Sequence, residues 1–153
     1  MQSTAGFVRS SSAPEGAVEK FFRYWAPVCA YLGLIFYLSS QSNPEESLPS
    51  FIDLFNDKVL HAVEYAVLGG LCYRAFRWGT SQSWQELAVP LAILLAALYG
   101  ASDEVHQWFT PFREATWQDW VADVIGATIG VVTLARMPRL WPASSTLDME
   151  RRS

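Results

Sequence analysis

The chain of 153 residues has a formal net charge of −4 and is 51% hydrophobic, 14% aromatic and only 17% charged. An average soluble domain is roughly 25% charged, and an acidic chain without a basic footprint excludes nucleic acid as a partner. The length suits one domain, and the polar residues gather in the two tails around an apolar middle.

Residues 1–20 read as a disordered cytoplasmic tail, rich in Ser, Ala and Gly. Acidic Glu15 and Glu19 precede the first apolar run and no A-x-A site follows it, which argues against a signal peptide. Trp25 to Leu38 is free of charge and is extended backwards by Phe21 and Phe22 around Arg23. Its length, about 17 residues, is the lower edge for crossing a hydrocarbon core of about 30 Å. Pro27 is expected in the first turn, where a missing N–H costs little. The stretch Ser39 to Asn56 is a loop by its Ser, Asn and Pro content.

Val59 to Phe76 forms the second apolar run, entered through Asp57 and Lys58 and closed by Arg74, Arg77 and Gly79. After a polar turn over Gly79 to Gln85 the third run extends from Glu86 to Phe109, and Pro111 stops it. Thr116 or Trp117 opens the fourth, which ends at Arg136 before Pro138. These runs predict an all-α, polytopic membrane protein: a bundle of four transmembrane helices over about 22–39, 58–77, 86–109 and 116–136, within a membrane domain spanning 21–137. Residues 138–153 form a second tail. The helices are apolar around most of their circumference, unlike the one-stripe helices of a soluble bundle. Cys29 and Cys72 both lie inside apolar runs and form no CxxC pair, so they read as small buried hydrophobes.

Basic residues set the expected orientation. Arg9, Lys20 and Arg23 precede the first helix, Arg74 and Arg77 follow the second, and Arg136, Arg139, Arg151 and Arg152 follow the fourth. The loop after the first helix instead carries Glu45, Glu46, Asp53 and Asp57. Both termini are therefore expected in the cytoplasm, with Arg113 alone arguing the other way. Lys58, His61 and Glu64, then Asp103 to Gln107, then Asp119 and Asp123, would all meet near the extracytoplasmic face.

Each group has chemistry to offer. Lys58, His61 and Tyr65 share a helical face at i, i+3 and i+7, and Glu64 lies about 60° round from His61. His61 and Glu64 can hydrogen-bond, share a proton, or both reach a metal; equally, Lys58 can snorkel while His61 and Tyr65 bridge helices. Asp103, Glu104 and Gln107 fall within about 100° of each other, where one of two carboxylates must take a proton or pair with a cation unless headgroup water solvates both. His106 points elsewhere, towards solvent or a lipid headgroup. Asp119, Asp123, Gly126 and Gly130 recur on one stripe, and Gly126-x-x-x-Gly130 is a small-residue pattern for close helix approach, within the chain or with a second copy. Arg113 has a planar fork suited to a carboxylate or a phosphate.

Taken together these residues resemble the VanZ-like family of small integral membrane proteins. The resemblance covers about residues 33–134. It is carried by Ser39-Ser40-Gln41, Asp57-Lys58-x-x-His61-x-x-x-Tyr65, Leu68-Gly69, Tyr99-Gly100-x-x-Asp103-Glu104-x-x-Gln107-x-Phe109-x-Pro111-x-Arg113, and Asp119-x-x-x-Asp123-x-x-Gly126-x-x-x-Gly130. Two positions depart from the family pattern: Phe112 stands where Gly often precedes the arginine, and Asp123 where Asn is frequent. The resemblance implies a multi-pass protein of the bacterial cytoplasmic membrane. The family's naming member is associated with low-level resistance to the acylated glycopeptide teicoplanin.

Three functions compete on the sequence. The first is a polar pocket of Lys58, His61, Glu64, Tyr65, Asp103, Glu104, Gln107, Arg113, Asp119 and Asp123 that takes an amphiphilic or lipid-linked envelope ligand. The second is an enzyme acting on a lipid headgroup, with His61 or Glu104 as general base and Asp103 or Asp119 as acid. The third is a structural or partner-binding protein that uses Gly126 and Gly130. No strong metal motif, nucleophile elbow or Ser-His-Asp order is present, and no cofactor is expected.

Overall fold

A computed structural model describes residues 16–41, 57–111 and 115–137. The described residues are helical and contain no strand. In chain order the helices are α1 (Ala17–Ser39), α2 (Asp57–Gly79), the single turn α3 (Gln82–Gln85), α4 (Ala88–Trp108) and α5 (Trp117–Arg136). The expected tails over 1–15 and 138–153, the loop over 42–56 and Arg113 lie outside the described residues.

The first helix starts earlier than the apolar run suggests. Gly16, extended at φ −66° and ψ 156°, precedes it, and Ala17–Lys20 is already helical, so the ordered chain reaches into the segment expected to be tail. Pro27 is therefore interior to α1 rather than in its first turn. It cannot donate to the Arg23 carbonyl four residues back. Two features absorb the defect. The turn before it, Phe21–Trp25, widens into a π-helix, and Arg74 Nη2 from α2 donates to the Arg23 carbonyl at 2.9 Å. The Arg74 guanidinium also lies over the Tyr24 ring, 5.2 Å from its centroid. Replacing Arg74 with Met is expected to cost about 1 kcal/mol of stability, and less in a Pro27→Ala background, where the missing N–H is restored. Thermal unfolding of the four proteins of this double-mutant cycle in detergent checks it, and equal costs in both backgrounds would refute the link.

Helices α2, α4 and α5 pack on one another, α2 and α5 most extensively, and α1 lies against α2 with a lighter contact to α4. The closeness of α2 and α5 comes from small residues. A Cβ on Gly126 would collide with the Ala62 carbonyl, and one on Gly130 with the Ala66 carbonyl. The Gly126/Gly130 stripe is thus packed against α2 of the same chain, the first of the two alternatives open for it. On α4 the buried positions Ala88, Ala92, Ala96 and Gly100 continue the same logic every four residues.

Of the four spans expected, two satisfy length and composition among the described residues: α1 and α4 are long and apolar enough to cross a membrane. At 1.5 Å per residue the 23 residues of α1 reach about 34 Å, more than a hydrocarbon core of about 30 Å. Helices α2 and α5 have similar lengths, 23 and 20 residues, with charged residues such as Lys58, Glu64 and Arg74 on α2 and Asp119 and Asp123 on α5. Among their exposed positions are the apolar Val59, Val63 and Val67 on α2, and Ile125 and Ile129 on α5. The buried ones include His61, Asp119 and Asp123.

Candidate functional site

Chain direction alone brings the polar residues together. Because α2 and α5 begin where α4 ends, Lys58 and His61, Asp103 to Gln107, and Asp119 and Asp123 gather at one end of the bundle, while Arg23, Arg74 and Arg77 lie at the other.

The pairings run between helices. Lys58 Nζ donates to Asp119 Oδ1 at 2.9 Å. One turn deeper, His61 Nδ1 lies 3.0 Å from Asp123 Oδ1, with both side chains buried. On α4, Gln107 Nε2 donates to Asp103 Oδ2 at 2.9 Å, so this carboxylate is satisfied within its own helix. Glu104 turns the other way and accepts the backbone N–H of Thr116 at 2.9 Å.

Thr116 is the N-cap of α5. In a capping box the residue at N3 reaches back to the N-cap N–H. Here that residue, Asp119, instead accepts the Thr116 hydroxyl at 2.6 Å and the Lys58 ammonium, and Glu104 of α4 supplies the missing acceptor. The start of α5 is therefore tied to both α2 and α4 through carboxylates.

At the centre lie Tyr65 and Asp123, both 0% exposed. The Tyr65 hydroxyl, Asp123 Oδ2 and Glu104 Oε1 are buried with no hydrogen-bond partner among the described residues. Gly100 makes room for them: a Cβ there would stand 2.9 Å from Asp123 Oδ2 and 3.2 Å from Tyr65 Cε1. His61, Glu104 and Asp123 have ligating atoms all within 4.8 Å of one another. A shallow apolar groove between α2 and α5, lined by Val67, Leu71, Ile129 and Leu134 among others, lies towards the opposite end and shares no residue with this cluster.

Of the ten residues expected to line a pocket, the structure gathers Lys58, His61, Tyr65, Asp103, Glu104, Gln107, Asp119 and Asp123 at one end of the bundle. Glu64 is half-buried on the neighbouring face of α2, where its backbone carbonyl accepts the Tyr31 hydroxyl at 3.2 Å. Arg113 lies outside the described residues. His106, expected in solvent or against headgroups, instead meets Ser40 Oγ at 3.0 Å and stacks at 4.6 Å on Phe36, fastening the end of α1 to α4. Ser40, Gly100 and Thr116 complete the arrangement and are not among the expected site residues.

An all-helical chain with two apolar helices of membrane-crossing length and a buried polar cluster at one end has the features of a membrane protein. The VanZ/LLP1 family model matches residues 21–138. The chain belongs to this family, and the matched span contains every helix from α2 onward and most of α1. Comparison with curated proteins gives no match, and neither does comparison with solved structures.

Proposed function

We propose that the chain is a four-helix integral membrane protein of the bacterial cytoplasmic membrane. Its polar end faces outward and binds the head of an amphiphilic cell-envelope molecule. The observation that carries the reading is the inverted polarity of the bundle. Asp119, Asp123, Asp103 and His61 are buried, whereas Leu34, Phe36, Val63, Leu94, Leu98 and Ile125 are exposed. Exposed apolar stripes on every long helix suit lipid, and ionisable groups facing inward in such a bundle mark functional sites. The small-residue contacts between α2 and α5 suit helix association in a bilayer, where packing rather than hydrophobic burial drives assembly. The arginines at the opposite end favour placing that end in the cytoplasm.

The charge balance bears on the ligand. Lys58 and His61 oppose Asp103, Glu104, Asp119 and Asp123 among the described residues, and both side chains already contact aspartates. The inner cluster therefore favours hydrogen-bond donors, such as the amines and hydroxyls of a glycopeptide or sugar head, over a bare phosphate. An acid–base enzyme acting on a lipid headgroup is a second reading, favoured by the 3.0 Å His61–Asp123 pair with Glu104 close by.

Wild-type protein and Asp103→Asn, expressed at matched membrane levels, test the first reading through susceptibility to teicoplanin beside vancomycin. The substitution keeps an acceptor for Gln107 and removes the charge. Selective protection against the acylated drug by wild type, lost in the variant, is expected. Equal protection by both proteins, or none by either, overturns the reading.

A further inference from the structure

We propose that His61, Glu104 and Asp123 form a binding site for one divalent transition-metal ion, with zinc as the first candidate. The three residues come from α2, α4 and α5, and their ligating atoms lie within 4.8 Å of one another. An independent observation points the same way. Asp123 is 0% exposed, yet its Oδ2 has no hydrogen-bond partner among the described residues, and neither has the buried Oε1 of Glu104. Burying a carboxylate oxygen without a partner is costly, and a cation placed between the two would offset that cost.

His61 meets only the other oxygen of Asp123, and the remaining neighbours are engaged elsewhere. The Lys58 ammonium is on Asp119, the Gln107 amide is on Asp103, and the Thr116 N–H is on the other oxygen of Glu104. Gly100 leaves space against Asp123 Oδ2 that any side chain would fill.

The donor set selects the ion. One imidazole with two carboxylates suits zinc or a similar borderline ion, whereas magnesium and calcium favour all-oxygen shells. Zinc bonds to nitrogen and oxygen of about 2.0–2.2 Å set neighbouring tetrahedral ligands about 3.3 Å apart. The 3.0 Å between His61 Nδ1 and Asp123 Oδ1 is close to that spacing, so Glu104 needs only a side-chain movement to close the set. Three protein ligands leave a fourth position open, as in zinc sites that accept an outside oxygen. The inference does not depend on the amphiphile reading, because metal binding is measured on the protein alone.

The full chain, purified in detergent without a polyhistidine tag and stripped with chelator, is titrated with zinc by calorimetry. Retained metal is then counted by elemental analysis. One zinc per chain is expected for wild type and for Glu86→Gln, an exposed carboxylate at the other end. Glu104→Gln and Asp123→Asn are expected to bind at least about tenfold more weakly, the lower end of what even outer-shell changes cost. If Asp123→Asn does not fold, Glu104→Gln decides, since its side chain is only half-buried. No stoichiometric zinc in wild type, or unchanged affinity in Glu104→Gln, overturns the site and leaves a shared proton as what the carboxyls hold. A protein that binds zinc but gives no selective protection against the acylated drug would instead count against the amphiphile reading alone.

Discussion

Alanine at Gly126 is expected to lower the stability of the folded chain by about 1–3 kcal/mol, and alanine at Gly130 by a similar amount. Both added methyls point at backbone, the carbonyls of Ala62 and Ala66, and backbone cannot rotate aside as the end of a long side chain can. Relief requires α2 and α5 to separate, which would also pull His61 from Asp123 and Lys58 from Asp119. The expected loss therefore exceeds the local clash and includes part of the polar network above it. Gly33 provides the contrast. Nothing lies within 4 Å of a Cβ at that position of α1, so alanine there is expected to be neutral or to stabilise by up to about 0.5–1 kcal/mol through better helix propensity. Unfolding of the three variants in detergent, by heat or by a denaturing surfactant, gives the ranking. Gly126→Ala as stable as Gly33→Ala would show that the α2–α5 interface is looser than described.

The same interface shows what a sequence reveals and what it withholds. Helical repeat alone put Asp119, Asp123, Gly126 and Gly130 on one stripe, because angular spacing along a single helix is fixed by its geometry. The partner of that stripe depends on how α2 is rotated and which helix neighbours which, and neither is a property of local spacing. Hence His61 was weighed with Glu64 three residues on, whereas its buried contact is Asp123, sixty-two residues away. The signals for two missed features were present in the sequence. Ala88, Ala92, Ala96 and Gly100 repeat every four residues as plainly as the glycines of α5, and Thr116 with Asp119 has the spacing of a capping box. What could not be read is that Glu104 would complete the cap from another helix.

The extent of α1 was obscured for a different reason. Glu19, Lys20 and Arg23 break the apolar run without breaking the helix, since charged residues are good helix formers even where they are poor lipid-facing ones. Hydropathy marks where lipid is favourable, not where helix begins. The same distinction explains why composition singles out α1 and α4 while α2 and α5, equally helical, turn His61, Asp119 and Asp123 inward.

Asp123→Ala is expected to be the most destabilising single carboxylate removal, at roughly 3 kcal/mol, near the lower end of the range for breaking a buried pair. Asp119→Ala should cost less, about 1–2 kcal/mol, although it loses two hydrogen bonds rather than one. Burial decides the order. Lys58 keeps 48% of its side chain exposed, so on losing Asp119 its ammonium can turn to water, and pairs of that kind are worth little. His61 keeps only 9%, and the close backbone contacts of Gly126 just below restrict the collapse that would fill the space left by Asp123. The alanine variant therefore leaves both a void and an imidazole stripped of its aspartate. A double-mutant cycle with His61→Ala isolates the pair itself: a coupling of about 1.5–3 kcal/mol is expected for a hydrogen bond involving a charged group. Asp123→Asn should recover part of the loss, because the amide retains the shape and can still meet one imidazole nitrogen. If Asp119→Ala proved the costlier change, the anchor of this end of the bundle would be the Lys58–Asp119–Thr116 cap rather than the buried His61–Asp123 contact.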